Sequence, residues 1–187
     1  NTYLGYIAGR YNQTGTNNTY LGYRAGYGAN GQSNSQNTAV GRDALLDITD
    51  GEYNTTIGIY SGASITTGDQ NVLVGNSAGY LSTAVSETTI VGAAACLGIM
   101  TAAADGTVAV GRFALKTLTS GIGNVAIGSG SMAANYTSDF NVAVGTNALS
   151  KLTNDGTTGN VAVGYHAGLS LTTGEKSVAI GYRALAT

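Results

Sequence analysis

The sequence predicts an all-β protein built as a parallel β-solenoid, and three observations carry that prediction. A nine-residue pattern, complete in Asn141-Val142-Ala143-Val144-Gly145-Thr146-Asn147-Ala148-Leu149, returns from one end of the chain to the other. Its central glycines (Gly5, Gly22, Gly41, Gly58, Gly75, Gly92, Gly111, Gly128, Gly145, Gly164 and Gly181) stand 17 or 19 residues apart, and a fixed short period marks a stack of similar coils. Each glycine follows a short run of Val, Ile and Thr, the composition of a strand. With 29 glycines, no proline and 10% charged residues, the chain is also too apolar and too weakly charged to be disordered.

Eleven coils follow, beginning at residues 1, 18, 37, 54, 71, 88, 107, 124, 141, 160 and 177. They form a single solenoid domain over 1–187, with a softer boundary near residue 37 where the Tyr- and Asn-rich first repeats end. Asn1 already lies inside a repeat, so the chain is expected to be a fragment of a longer fibre.

Position four is aliphatic in every coil, from Leu4 to Ile180, and position two is Thr early and mostly Val later. Side chains two apart share a face of a strand, so this pair is expected to fill the interior. Position three points the other way, yet it reads Tyr3, Tyr20, Ala39, Thr56, Leu73, Ile90, Ala109, Ala126, Ala143, Ala162 and Ala179. A strand apolar on both faces is covered on both. The alanines Ala109, Ala126, Ala143, Ala162 and Ala179 are therefore expected to face sister chains in a homotrimer.

The second half of each coil carries Ala or Ser at position eight, Gly or a larger apolar residue at nine, and often an aliphatic further on (Ile48, Ile65, Ile99, Leu118, Leu152, Leu171). It suits a short strand or one helical turn equally. A turn rich in Thr, Gly, Asp and Asn closes the coil and takes the two-residue insertions. Asn leads most coils, and stacking should turn Asn18, Asn37, Asn54, Asn71, Asn124, Asn141 and Asn160 into a structural ladder.

The run Asn141 to Leu149, with Ser177-Val178-Ala179-Ile180-Gly181, resembles the head repeats of trimeric autotransporter adhesins, and similar runs followed by Thr-Thr-Gly occur in phage tail-fibre proteins. The resemblance covers essentially the whole chain, although these repeats are longer than the adhesin ones. It implies a left-handed β-roll, three chains side by side, and a stiff rod at a virion or bacterial cell surface whose loops meet a host protein or glycan, joined to flanking fibre segments.

Little else suggests chemistry. A net charge of -2 and no basic run give no reason to bind nucleic acid, and no apolar stretch is long enough for a membrane helix. Gly26-Tyr27-Gly28-Ala29-Asn30-Gly31 matches a dinucleotide fingerprint, but no helix is expected after it. Asp47, Asp50 and Glu52 share one loop without the glycine-aspartate repeat of calcium rolls. Cys96 replaces a buried leucine. No metal site, cofactor or catalytic residue is expected.

Tyr6, Tyr23, Tyr165 and Tyr182 share position six and are candidate receptor or glycan contacts, with a stiffening aromatic column as the other reading. The alternative function is a hexapeptide-type acyltransferase using His166, though only one hexad per coil fits. An ice-binding face would need outward threonines, and position two is expected to point inward.

Overall fold

The computed structural model describes residues 1–186. Eleven three-residue strands form one continuous parallel sheet. They are β1 (Thr2–Leu4), β2 (Thr19–Leu21), β3 (Thr38–Val40), β4 (Thr55–Ile57), β5 (Val72–Val74), β6 (Thr89–Val91), β7 (Val108–Val110), β8 (Val125–Ile127), β10 (Val142–Val144), β12 (Val161–Val163) and β13 (Val178–Ile180). Each strand occupies positions two to four of its coil, and each pairs in register with the next, as in Thr2↔Thr19 and Val161↔Val178. Equal positions therefore stack into rows along the rod, with rows of adjoining coils about 4.8 Å apart.

The rest of each coil is neither a regular second strand nor a helical turn. It is a series of bends, relieved by a second parallel pair, β9 (Thr137–Asp139) with β11 (Asp155–Thr157), and a 3-10 turn at Ala102–Ala104. Both β11 and that turn lie in 19-residue coils. In the coil of residues 88–106 the insertion also shifts the core residue by one: Met100 is buried and Ile99 is exposed.

The faces of the strand are the reverse of the expectation. Row three is inside: Tyr20, Ala39, Leu73, Ile90, Ala109, Ala126, Ala143 and Ala162 have no exposed surface, and Ala179 has 3%. The five alanines expected against sister chains thus pack within their own coil. Rows two and four face outward, with Leu4, Ile57, Val72, Ile127, Val163, Val178 and Ile180 all exposed. The reason is width. The turns fold back over row three and fill the same slender interior with rows eight, nine and twelve, leaving room for one side chain from each strand rather than two.

That interior is shared by compensation between rows three and nine. Where row three is large, row nine is glycine or small: Tyr3 with Gly9, Tyr20 with Gly26, Thr56 with Gly62, Leu73 with Gly79 and Ile90 with Cys96. Where row three is alanine, row nine is mostly large and buried, as in Ala39 with Leu45, Ala109 with Leu115, Ala126 with Met132 and Ala143 with Leu149. A Cβ at Gly79 would sit 2.2 Å from Leu73 Cδ2, and one at Gly26 would sit 2.3 Å from the Tyr20 ring. Ala162 with Gly168 departs from the pattern because Leu149, one coil below, leans into the space, 2.7 Å from that Cβ position.

The asparagines of row one lock the coils together. Each side-chain oxygen accepts the backbone N–H of the residue above it: Asn37 N to Asn18 (2.9 Å), Asn54 N to Asn37 (2.9 Å), Asn71 N to Asn54 (3.1 Å), Asn141 N to Asn124 (3.0 Å) and Asn160 N to Asn141 (2.9 Å). The amide nitrogens of Asn37, Asn54, Asn124 and Asn160 each donate to the closing turn of their own coil, at Gly51, Gly68, Ser138 and Gly174. The ladder pauses at Thr88 and Thr107, whose hydroxyls donate to Asn71 Oδ1 and to the Ala104 carbonyl instead.

Asn54→Ala should leave the Asn71 N–H and the Gly68 carbonyl buried without these partners, a loss of about 2–4 kcal/mol. Denaturant unfolding followed by circular dichroism measures it, and a loss below about 0.5 kcal/mol would deny the ladder its structural part.

Candidate functional site: the outer sheet face and its two edges

The outward face follows from the row pattern. Rows two and four contribute five threonines (Thr2, Thr19, Thr38, Thr55, Thr89) and otherwise only Val, Leu and Ile, without one charged residue in eleven strands. At about 4.8 Å per coil and about 7 Å between the two rows, this is an uncharged ribbon running the length of the rod.

Row six borders the ribbon on one side. Tyr6 stacks on Tyr23 (ring centres 5.6 Å apart, planes within 13°) and Tyr165 stacks on Tyr182 (5.4 Å, 13°). Each ring turns a face toward its neighbour in the adjoining coil, so the column presents mainly edges and hydroxyls outward. Cations accompany it. Arg112 lies 4.2 Å over the Phe113 ring, and Arg42 lies 4.7 Å over Tyr60. Asp43 is buried between Arg24 (Nε to Oδ1, 2.7 Å) and Arg42 (Nε to Oδ2, 3.7 Å), the two ion pairs among the described residues. That hydrogen bond from Arg24 raises the pKa of its guanidinium further.

The opposite border is acidic. The last-but-one position of the coil carries Glu52, Asp69, Asp105, Asp139 and Glu175, with Glu87 beside them and Asp50 and Asp155 slightly earlier in the turn. Several of these also cap backbone: Asp69 accepts from Glu52 N (2.7 Å), Asp105 from Ser86 N (2.7 Å) and Asp139 from Ile122 N (2.9 Å). These bonds run opposite to those of row one, since here the lower coil donates to a side chain above it.

The isolated motifs do not converge. His166 stacks on Tyr165 (3.8 Å) and bonds Asn147 through Nε2 (3.2 Å). Cys96 is fully buried, and burial raises its thiol pKa. Asp47, its carboxyl pKa raised by partial burial, does not gather with Asp50 and Glu52, and no group of three metal-ligating side chains occurs among the described residues. The Gly26–Gly31 segment leads into bends rather than a helix. A shallow apolar hollow lies away from the sheet face, lined by Leu81, Leu97, Gly98, Lys116, Thr117, Thr119 and Tyr136. No helix of the described residues is long and apolar enough to cross a membrane.

No protein-family model matches the chain, and no curated protein or solved structure is detectably similar to it.

Proposed function

We propose that this chain is a non-enzymatic structural segment of an extracellular fibre, a phage tail fibre or a bacterial surface adhesin head, in which three copies stand side by side. The observation that carries the proposal is the uncharged ribbon of rows two and four. Soluble monomers rarely expose contiguous apolar patches of this extent, and larger ones mark interaction surfaces. With its bordering rows the face is roughly 50 by 20 Å, about what each partner gives to a stable interface. The likeness of the repeats to adhesin heads and phage fibres supports the count of three and a surface location. The contact residues are then Val, Ile and Leu of rows two and four, in place of the alanines.

In this assembly the stiff sheet acts as a spacer and the turns project toward a host protein or glycan. The stacked tyrosines border the ribbon, and their geometry favours a part in the seam over a sugar-stacking platform. Replacing Tyr6, Tyr23, Tyr165 and Tyr182 by Ala separates the two, because only a receptor role makes binding fall while the particle mass holds.

Light scattering should give the mass of three chains. Val142→Glu together with Val144→Glu should reduce it to one chain while the β-sheet circular dichroism persists. A wild-type protein that is monomeric at micromolar concentration would end the proposal. One observation favours a second reading: Thr2, Thr19, Thr38 and Thr55 stand one above another on the outward face, a regular threonine row of the kind ice binding needs. Thermal hysteresis from a monomer would replace the fibre reading with that one.

A further inference from the structure

The two borders of the ribbon carry opposite charge. Arg24, Arg42, Arg112 and Arg183 lie at positions six and seven, while eight of the ten acidic residues (Asp50, Glu52, Asp69, Glu87, Asp105, Asp139, Asp155 and Glu175) lie in the closing turn on the other side, with Lys176 the one cation beside them. Asp43 already engages Arg24 and Arg42. Arg112 has no ion pair among the described residues, and its guanidinium rests on Phe113 at the surface.

Resting on the assembly proposed above, we infer that Arg112 of one copy pairs with Asp105 of the next, in a closed ring of parallel copies. Asp105 and Arg112 flank the same strand, β7, so they occupy the same level of the rod on opposite sides of the ribbon. A rotation axis parallel to the rod brings the right border of each copy to the left border of its neighbour at equal height, so Arg112 meets Asp105 and Arg183 meets Glu175, whereas Arg24 and Arg42, already paired with Asp43, meet Thr16-Asn17 and Ser35-Gln36. A twofold axis across the rod would instead set like borders together and reverse the direction of one chain. The level match of Arg112 with Asp105 thus selects parallel, in-register packing, which the antiparallel alternative would lose, the usual part of charge in fixing orientation. Asp105 is free to do this, because its bond to the Ser86 N–H uses only Oδ1.

The test is disulfide capture in the full chain carrying both Arg112→Cys and Asp105→Cys. Within one copy the two positions are separated by roughly 20 Å of extended chain, far beyond disulfide reach. Cys96 is buried and does not compete. Mild oxidation should convert the double variant to covalent trimers on non-reducing gels, with neither single variant doing so. Covalent dimers from a single variant would mean that like borders meet, and would overturn the inference. A second measurement leaves the backbone cap in place: Asp105→Asn should weaken assembly about tenfold at low salt and much less at high salt. A trimer by mass that neither cross-links nor responds to Asp105→Asn would remove the edge pairing and leave the fibre proposal standing. A monomer by mass would remove both.

Discussion

Gly145→Ala is expected to abolish folding of the coils around it, a loss of more than about 4 kcal/mol, the range reserved for severe backbone conflict. Gly145 sits at φ +135, and a Cβ there would lie 2.3 Å from the carbonyl oxygen and 2.6 Å from the carbonyl carbon of Gly164. No rotamer change relieves this contact, because the obstacle is backbone held by the pairing of β10 with β12. The control is Gly156→Ala. Gly156 has φ +76 but nothing within 4 Å of its Cβ position, so only the left-handed conformation is penalised, at roughly 1–2 kcal/mol. Urea unfolding of both variants at equal protein concentration makes the comparison. Similar midpoints for the two would contradict the close stacking of the glycine row.

Leu73→Ala combined with Gly79→Leu should be far more stable than the two single changes predict. Leu73→Ala alone empties a fully buried site, at about 2–5 kcal/mol. Gly79→Leu alone drives a new side chain into Leu73 Cδ2, with Ile90 Cδ1 only 3.3 Å from the new Cβ, and overpacking of this kind costs about 1–3 kcal/mol. Together they recreate the arrangement of Ala143 with Leu149. The backbone permits it, since Gly79 has φ +59 while Leu45, Leu115 and Leu149 hold the equivalent position at φ 53, 47 and 48. A double-mutant cycle should return a coupling of about 2–3 kcal/mol in favour of the pair. Strict additivity would show that rows three and nine do not share one space.

The strands and their register were legible in the sequence, because a pattern repeated eleven times places Thr2–Leu4 and Val178–Ile180 at equivalent points. The orientation of the strand was not legible from alternation, since Val142, Ala143 and Val144 are apolar on either face. The deciding signal was present elsewhere. Rows two and four keep a nearly constant size, whereas Tyr3, Leu73 and Ala143 are large or small in opposition to Gly9, Gly79 and Leu149. Residues that trade volume must fill a common interior, and that reciprocity assigns row three to the core. The bends of the second half were beyond periodicity, because they rest on left-handed backbone at non-glycine residues such as Asp43, Phe113, Asn147 and His166. Side-chain type forecasts such backbone poorly outside glycine and asparagine. The charged borders emerge only when residues are sorted by their place in the coil. Along the chain, Asp105 and Arg112 are simply two scattered charges.

The in-register pairing of one strand per coil also makes the length of the rod a modular property. Excising residues 71–87 would bring Thr88 directly onto Asn54, a neighbour of the kind it already has in Asn71, and would shorten the rod by about 4.8 Å. In the ring proposed above every copy is translated from the same message, so an insertion or loss of one such unit would alter all of them alike. The length of such a proposed assembly would therefore change in fixed increments during descent, with the proposed fit between neighbouring copies preserved at each step.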